Sequence, residues 1–141
     1  MIALDTNLLV YAHRAGAPEH RAAQQAIEAA VSAPTGCAIP YTCIAEFWMV
    51  VTHPSSLGSP SRPEQARAFL ANLLLAGVKI IYPQAGAAEK LTKLAADLDV
   101  KGPRIFDLQI AVICQQSGVR ELWTHDAKFV PVPGLSIKDP L

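Results

Sequence analysis

The chain has few charged residues and no excess of either sign. Only 17% of its 141 residues are charged, and 12 lysines and arginines balance 12 aspartates and glutamates. Because 51% of the residues are hydrophobic, this composition excludes an intrinsically disordered protein. A formal net charge of zero gives no general support for binding nucleic acid, so any such binding must come from local groups of basic residues.

Cysteine is also scarce, and the apolar runs are short. The three cysteines, Cys37, Cys43 and Cys114, are odd in number and lack the close spacing of zinc or redox motifs. We interpret them as reduced core residues of a protein in a reducing compartment. No apolar run reaches the roughly 20 residues that a membrane-spanning helix needs. Since no signal peptide is evident either, we expect a soluble, cytoplasmic protein without a membrane segment.

Short apolar segments alternate with longer segments of helical periodicity. Four strands are predicted at residues 2–5, 37–39, 78–82 and 121–124, with a short final strand expected after them. Helices are predicted at residues 18–33, 42–52, 63–76, 85–99 and 107–117. Such alternation is typical of parallel strands joined by helices. We therefore predict one domain over residues 1–141, an α/β protein with a three-layer α/β/α sandwich and a mostly parallel sheet.

The predicted connections include two with specific features. Residues 7–11 are expected to turn away from the first strand. The Ser/Pro/Gly-rich segment 53–63 is predicted to be a surface loop, and residues 61–64 resemble a capping box for the helix that follows, with Pro63 at its first position.

Four acidic residues stand where apolar segments begin or end. Asp5 and Asp126 follow predicted strands, so both should project from the carboxyl edge of a parallel sheet. Asp107 begins a helix, and Glu46 lies in the first turns of an otherwise apolar helix. Taken singly, these residues have simple structural explanations as helix caps, turn formers or solvated charges. If they converge, they need a divalent cation to offset their repulsion.

The residue types favour a hard cation. All four side chains are oxygen donors, and no His or Cys stands at zinc-binding spacing, so Mg²⁺ or Mn²⁺ is expected. Such an ion would activate water and offset charge on the phosphorus oxygens of a phosphate ester. Three basic residues lie near the predicted mouth, where they would either contact nucleic-acid phosphates or remain solvated: Arg14, Arg104 and Lys128.

At these residues the chain resembles the PIN-domain family, in particular the small VapC-type toxin ribonucleases. The matching segments are Leu4-Asp5-Thr6-Asn7, Glu46, Asp107-Leu108-Gln109-Ile110-Ala111 and Thr124-His125-Asp126-Ala127-Lys128-Phe129. Their order and spacing span nearly the whole chain. The resemblance implies a PIN fold and an endoribonuclease that cleaves RNA with Mg²⁺ or Mn²⁺.

The resemblance also implies roles for individual residues. Asp5 and Asp107 would be the main metal ligands. Glu46 and Asp126 would complete the acidic site, directly or through water. The residues that would hold these carboxylates in place are Thr6, Asn7 and Thr124. Toxins of this type are typically homodimers, neutralised by a cognate VapB-like antitoxin protein whose C-terminal segment lies across the active-site groove.

Two other interpretations stay open at this point, and so does the number of metal ions. A non-catalytic PIN-fold module that binds RNA or protein would be expected to have lost some of the four acids. A phosphotransfer receiver-like domain would carry paired acids after the first strand and a lysine after a late one, where this chain has Asp5-Thr6-Asn7 and Thr124. Some PIN relatives have a further acid near the last aspartate, whereas here Ala127 and Lys128 follow Asp126, which leaves a second metal position open.

Overall fold

The apolar segments form strands and the periodic segments form helices in the computed structural model of the chain, which describes residues 1–55 and 58–141. Within these ranges the strands are Ile2–Leu4 (β1), Cys37–Pro40 (β2), Lys79–Ile81 (β3), Glu121–Trp123 (β4) and Ser136–Lys138 (β5). The α-helices are Thr6–His13 (α1), His20–Ser32 (α2), Tyr41–Thr52 (α3), Pro63–Leu75 (α4), Ala87–Asp97 (α5) and Ile105–Gln116 (α6). A short 3₁₀ helix, Gly102–Arg104, leads directly into α6.

The strands of the described residues form one parallel sheet in the order β3-β2-β1-β4-β5. Every residue of β1 and β2 is buried. Because successive strand residues point to opposite faces, both faces of these central strands must be covered by other elements. The result is the predicted three-layer α/β/α sandwich.

The order of the strands creates a crevice between β1 and β4. From β1 the chain moves outward to β2 and β3, and then it returns across the sheet to β4 and β5 on the other side of β1. Ligands of open α/β folds bind at the carboxyl ends of strands where the order reverses in this way. Asp5 directly follows β1 and Asp126 comes soon after β4, so the topology places both acids beside this crevice.

An aromatic cluster anchors the helix that carries Glu46. Phe47 is fully buried, and its ring stacks on Phe69 of α4 with 5.3 Å between ring centroids. The His13 ring meets Phe47 and Phe69 edge-on, at centroid distances of 5.4 and 5.0 Å. Burial of an aromatic side chain such as Phe47 contributes roughly 1.5–3 kcal/mol. Because Glu46 precedes Phe47 in α3, this packing also fixes where the carboxylate emerges.

Helix α1 differs from the prediction, which had residues 7–11 only turning away from β1. The helix begins at Thr6, and Asp5 is its N-cap. The segment is apolar at nearly every position from Leu8 to Ala12, so it shows no polar face from which a helical period could be recognised.

Helix α4 begins at Pro63 as predicted, but its cap differs by one residue from the predicted capping box. The N-cap is Arg62, whose backbone N–H donates to the side chain of Gln65 at 2.9 Å. The reason is that Pro63 occupies the first helical position, as predicted, so the cap is the residue before it and Ser61 lies outside the helix. Residues 53–55 and 58–62 form no helix or strand, in agreement with the predicted loop, whose remaining residues Ser56 and Leu57 lie outside the described part of the chain.

Two further predictions concern the cysteines, which were expected in the core, and the helices, none of which was expected to span a membrane. Cys37, Cys43 and Cys114 are free and buried, which confirms that they are core residues. Within residues 1–55 and 58–141, no helix has both the length and the apolar character needed to cross a bilayer.

Candidate active site at the carboxyl edge of the sheet

Asp5 lies in a buried hydrogen-bond network at the end of β1. Only 6% of the residue is exposed. Its Oδ1 accepts the backbone N–H of Thr6 at 2.7 Å. Its Oδ2 accepts the Thr124 hydroxyl at 2.6 Å and the Asn7 side-chain amide at 3.0 Å. These donors replace part of the hydration that the carboxylate has lost, and they hold it in one orientation.

Asn7 and Thr124 also connect the end of β1 to the end of β4. The Asn7 amide donates to Thr124 Oγ1 at 2.9 Å, and Asn7 Oδ1 accepts the backbone N–H of His125 at 3.0 Å. Thr124 Oγ1 accepts the backbone N–H of Asp126 at 3.0 Å as well. Since Thr124 Oγ1 accepts from the Asn7 amide and from the Asp126 N–H, its own proton is directed to Asp5. These consecutive hydrogen bonds polarise one another.

Glu46 reaches the same place from α3. Its Oε2 accepts the hydroxyl of Thr6 at 2.6 Å, the short distance expected when an O–H group donates to a carboxylate. The residue is otherwise exposed, so its far side faces water. Thr6 therefore contacts Asp5 through its backbone and Glu46 through its side chain, and it brings these two acids to the same edge of the sheet.

Arg104 joins the other two acids. Its Nη1 donates to Asp107 Oδ2 at 3.1 Å and to Asp126 Oδ2 at 2.9 Å. The 3₁₀ turn before α6 places Arg104 three residues ahead of Asp107, a spacing at which side chains of a helix meet. The backbone N–H of Val130 donates to the same Asp107 oxygen at 3.1 Å, and that of Lys128 donates to Asp126 Oδ1 at 2.8 Å.

The four carboxylates line one cleft of about 290 Å³. Its other lining residues are Thr6, Asn7, Val10, Tyr11, Val50, Phe106 and Ile110. The wall made by Val10 and Tyr11 was not predicted from the sequence, because α1 was not predicted. The signal that could have found Tyr11 is its position four residues after Asn7, which places both on one side of a helix.

The two ends of the cleft differ electrostatically. The pKa of Asp5 is raised to about 6. Burial is the main cause and the charges of Glu46 and Asp107 add to it, while hydrogen bonds from Thr124 and Thr6 act in the opposite direction. At the other end, the hydrogen bond from Arg104 is the main influence that holds the pKa of Asp126 below its ordinary value. Excess negative charge is therefore concentrated around Asp5.

The donor set fits a hard divalent cation. The carboxylates of Asp5, Glu46 and Asp107 border one cleft, and the last two raise the pKa of the first by repulsion. Mg²⁺ or Mn²⁺ would relieve that repulsion, with water completing its octahedral shell. In residues 1–55 and 58–141, no three His, Cys, Asp or Glu side chains already stand close enough together to hold an ion, so water or side-chain movement would have to complete the coordination.

The three basic residues predicted near the mouth differ in their positions relative to the cleft. The Arg14 guanidinium donates to the backbone carbonyls of Val51 and Ser59, at 2.7 and 2.6 Å, and Arg14 does not line the cleft. Lys128 is exposed beside Asp126. Of the three basic residues that the sequence placed near the mouth, only Arg104 has its charged group among the carboxylates.

Comparison with known proteins identifies the family of the chain. The sequence pattern that defines the PIN domain matches residues 2–135, nearly the whole chain. The chain belongs to the PIN-domain family. This PIN domain is 26% identical over 140 residues to Ribonuclease VapC48 of Mycobacterium tuberculosis, a match that covers 96% of this chain and 94% of that protein. The receiver-like alternative is thereby excluded.

Solved structures show the same fold. The structure of Mycobacterium tuberculosis VapC20, described as a sarcin-ricin loop cleaving toxin, has a TM-score of 0.69 at 19% identity and covers 92% of each chain. A toxin–antitoxin complex from Klebsiella pneumoniae has a TM-score of 0.67 at 22% identity and covers 100% of this chain and 98% of that one. At these identities the structural similarity establishes the PIN fold alone and does not establish the activity.

The raised pKa of Asp5 predicts that the metal-free protein loses stability as pH rises. An acid whose pKa is about 6 when folded and near 3.8 when unfolded binds more protons in the folded state between those values. The cost of this carboxylate to folding is therefore absent well below pH 4 and complete only well above pH 6. Between pH 4.5 and 7.5 we expect this group to lower the free energy of unfolding by roughly 2 kcal/mol, at about 1.4 kcal/mol per pKa unit.

Urea unfolding in EDTA at the two pH values measures this effect. Asp5→Asn should lack that component of the pH dependence, whereas Asp97→Asn, which breaks only an exposed ion pair with Lys93, should keep it. If the free energy of unfolding has the same pH dependence in the wild type and in Asp5→Asn, burial of the Asp5 carboxylate does not lower the stability of the protein as predicted.

Proposed function

We propose that this PIN domain is a metal-dependent endoribonuclease and the toxin of a type II toxin–antitoxin pair. The observation that carries the proposal is the single cleft lined by Asp5, Glu46, Asp107 and Asp126. The similarity to a protein named as a ribonuclease extends over 96% of the chain, which supports RNA as the substrate.

The residues of the cleft have distinct parts in this proposal. Asp5 and Asp107 hold Mg²⁺ or Mn²⁺, and Glu46 and Asp126 complete the acidic site, directly or through water. The bound ion supplies an activated water and offsets charge on the phosphorus oxygens. Because Asp5 is buried, its attraction for a cation is screened less than that of a surface carboxylate.

The neighbours of the carboxylates orient them before any ligand binds. The hydrogen bonds from Thr6, Asn7 and Thr124 fix Asp5 and Glu46, so the orientation of these two carboxylates is set before the ion arrives. Substitution of one of these residues would therefore weaken metal binding without removing a ligand.

RNA would enter the cleft on the side of α6. Phe106 lines the cleft, is 62% exposed and directly precedes Asp107, so its ring is available for stacking on a base. Arg104 bonds Asp107 and Asp126, and Lys128 is exposed beside Asp126, so both would contact phosphates at this side of the cleft. For a chain with zero net charge, such local contacts have to supply the affinity for RNA.

The toxin role adds protein partners. The Klebsiella pneumoniae protein with the same fold is part of a toxin–antitoxin complex, and this supports a VapB-like antitoxin that covers the cleft. A second cavity of about 490 Å³ adjoins Glu46, and its lining includes the exposed apolar side chains of Tyr41, Met49 and Phe106. Such apolar surface would be covered by the antitoxin or in a homodimer.

The purified protein should cut RNA in Mg²⁺ or Mn²⁺ and stop when EDTA is added. Asp5→Asn and Asp107→Asn should each lower the cleavage rate by about 100-fold or more, because each removes a charged metal ligand with little change in volume. Asp97→Asn, an equal substitution at an exposed position, should cleave at the wild-type rate. Gel analysis of cleaved cellular RNA measures these rates.

Two outcomes would count against this assignment. Cleavage by Asp5→Asn at the wild-type rate would show that Asp5 holds no catalytic metal. A folded wild-type protein that binds RNA and cuts none of it in either metal would favour the non-catalytic PIN-fold module.

Expression in a bacterial host should arrest growth if the protein is a toxin. Because the arrest depends on RNA cleavage, Asp107→Asn should grow normally, and co-expression of a small neighbouring gene for the antitoxin should restore growth of the wild type. Growth curves after induction, with protein levels matched by immunoblot, measure this effect. Normal growth at a wild-type protein level would contradict the toxin role.

A further inference from the structure

The guanidinium of Arg104 lies between two carboxylates of the cleft, although the sequence predicted it only near the mouth. It bonds Asp107 Oδ2 and Asp126 Oδ2 through the same nitrogen, Nη1. The side chain of Asp107 is 15% exposed, while those of Arg104 and Asp126 are 39% and 38% exposed. Arg104 is therefore held, partly exposed to solvent, beside the Asp107–Asp126 end of the cleft.

Both carboxylates have a further anchor that fixes them towards Arg104. The backbone N–H of Val130 donates to the same oxygen of Asp107, and the backbone N–H of Lys128 donates to the other oxygen of Asp126. Both oxygens of Asp126 are thus engaged, one of them by a cation. Among the described residues no donor contacts Asp107 Oδ1, so Asp107 keeps one oxygen for another ligand.

A metal ion at the Asp126 end of the cleft would meet the positive charge of Arg104. The ion would compete with the guanidinium for the oxygens of Asp107 and Asp126, and it would be repelled at short range by a group that is always protonated. No further acidic side chain follows Asp126 directly, since the next residues are Ala127 and Lys128. By contrast, Asp5 has the negative charges of Glu46 and Asp107 as neighbours.

We propose that Arg104 supplies the positive charge at the Asp107–Asp126 end of the cleft in place of a second metal ion. The site then holds one divalent cation, at Asp5, Asp107 and Glu46. Of the roles that the proposed function leaves open for Asp126, the indirect one then applies: Asp126 borders the metal site without binding the ion and is a positioning residue that holds Arg104. This inference rests on the proposed function and assigns its metal count.

The position of Arg104 also gives it a contact with substrate. Its recorded hydrogen bonds use Nη1, and within residues 1–55 and 58–141 no group accepts from Nε or Nη2. A guanidinium that is already oriented by two carboxylates can offer these remaining donors to an RNA phosphate, with little loss of side-chain freedom.

Mn²⁺ titration followed by electron paramagnetic resonance tests the metal count and the role of Asp126 together. The wild type should bind one Mn²⁺ per chain. Asp126→Asn should keep that stoichiometry, with a Kd within about threefold of the wild type, whereas Asp107→Asn should weaken Mn²⁺ binding by about 100-fold or more. Asp126→Asn should nevertheless raise the KM for RNA about tenfold, because Arg104 loses one of its two anchors.

A second set of variants tests Arg104 itself. Arg104→Met should raise the KM for RNA at least tenfold without weakening Mn²⁺ binding, since it removes a competing positive charge, and Arg104→Lys should recover part of the affinity for RNA. Lys93→Met and Asp97→Asn break an exposed pair of the same residue classes and should change neither quantity. Circular dichroism melting identifies any variant that does not fold, and Arg104→Lys then replaces Arg104→Met in the comparison.

Three results would overturn the inference. Two equivalents of Mn²⁺ per wild-type chain would show that Arg104 does not replace an ion. A tenfold or larger loss of Mn²⁺ affinity in Asp126→Asn would make Asp126 a ligand. Both results leave the proposed ribonuclease function intact, whereas a folded wild type that binds no Mn²⁺ overturns that function together with the inference.

Discussion

The burial of one carboxylate at the end of β1 is the constraint on which the rest of the site depends. Asp5 caps α1 and lines the cleft with the same side chain, and only 6% of the residue is exposed. A carboxylate taken out of water in this way is tolerated only with hydrogen-bond donors around it. Thr6, Asn7 and Thr124 provide these donors. Because Thr6 and Asn7 belong to α1 and Thr124 follows β4, the hydrogen bonds to this one carboxylate join the ends of β1 and β4 to α1.

The hydrogen bonds orient Asp5 without neutralising it. Its pKa stays raised to about 6 because burial and the charges of Glu46 and Asp107 outweigh the donors. At the Asp126 end of the cleft, the negative charge of Asp126 is already met by Arg104. The protein therefore keeps uncompensated negative charge at one end and a fixed guanidinium at the other. Under the proposed function, the first would hold the cation and the second would contact a phosphate.

The sequence predicted the features that leave a pattern along the chain and missed those that leave none. Asp5 and Asp126 follow apolar strands, and this pattern was enough to place them at the carboxyl edge of a parallel sheet. Helix α1 was not predicted, because its apolar residues surround the helix and hide the period. The pairing of Arg104 with Asp107 is local, at a spacing of three residues, but its pairing with Asp126 spans 22 residues and exists only after folding.

The central claim is that the carboxylates of Asp5 and Asp107 hold a divalent cation in this cleft. Anomalous diffraction from crystals soaked in Mn²⁺ tests it most directly, because the signal locates the ion without reference to activity. We expect an anomalous peak in contact with carboxylate oxygens of both residues, and no such peak in crystals of Asp5→Asn. A peak that contacts neither carboxylate, or no peak at millimolar Mn²⁺ in a wild-type crystal with an open cleft, would contradict the account.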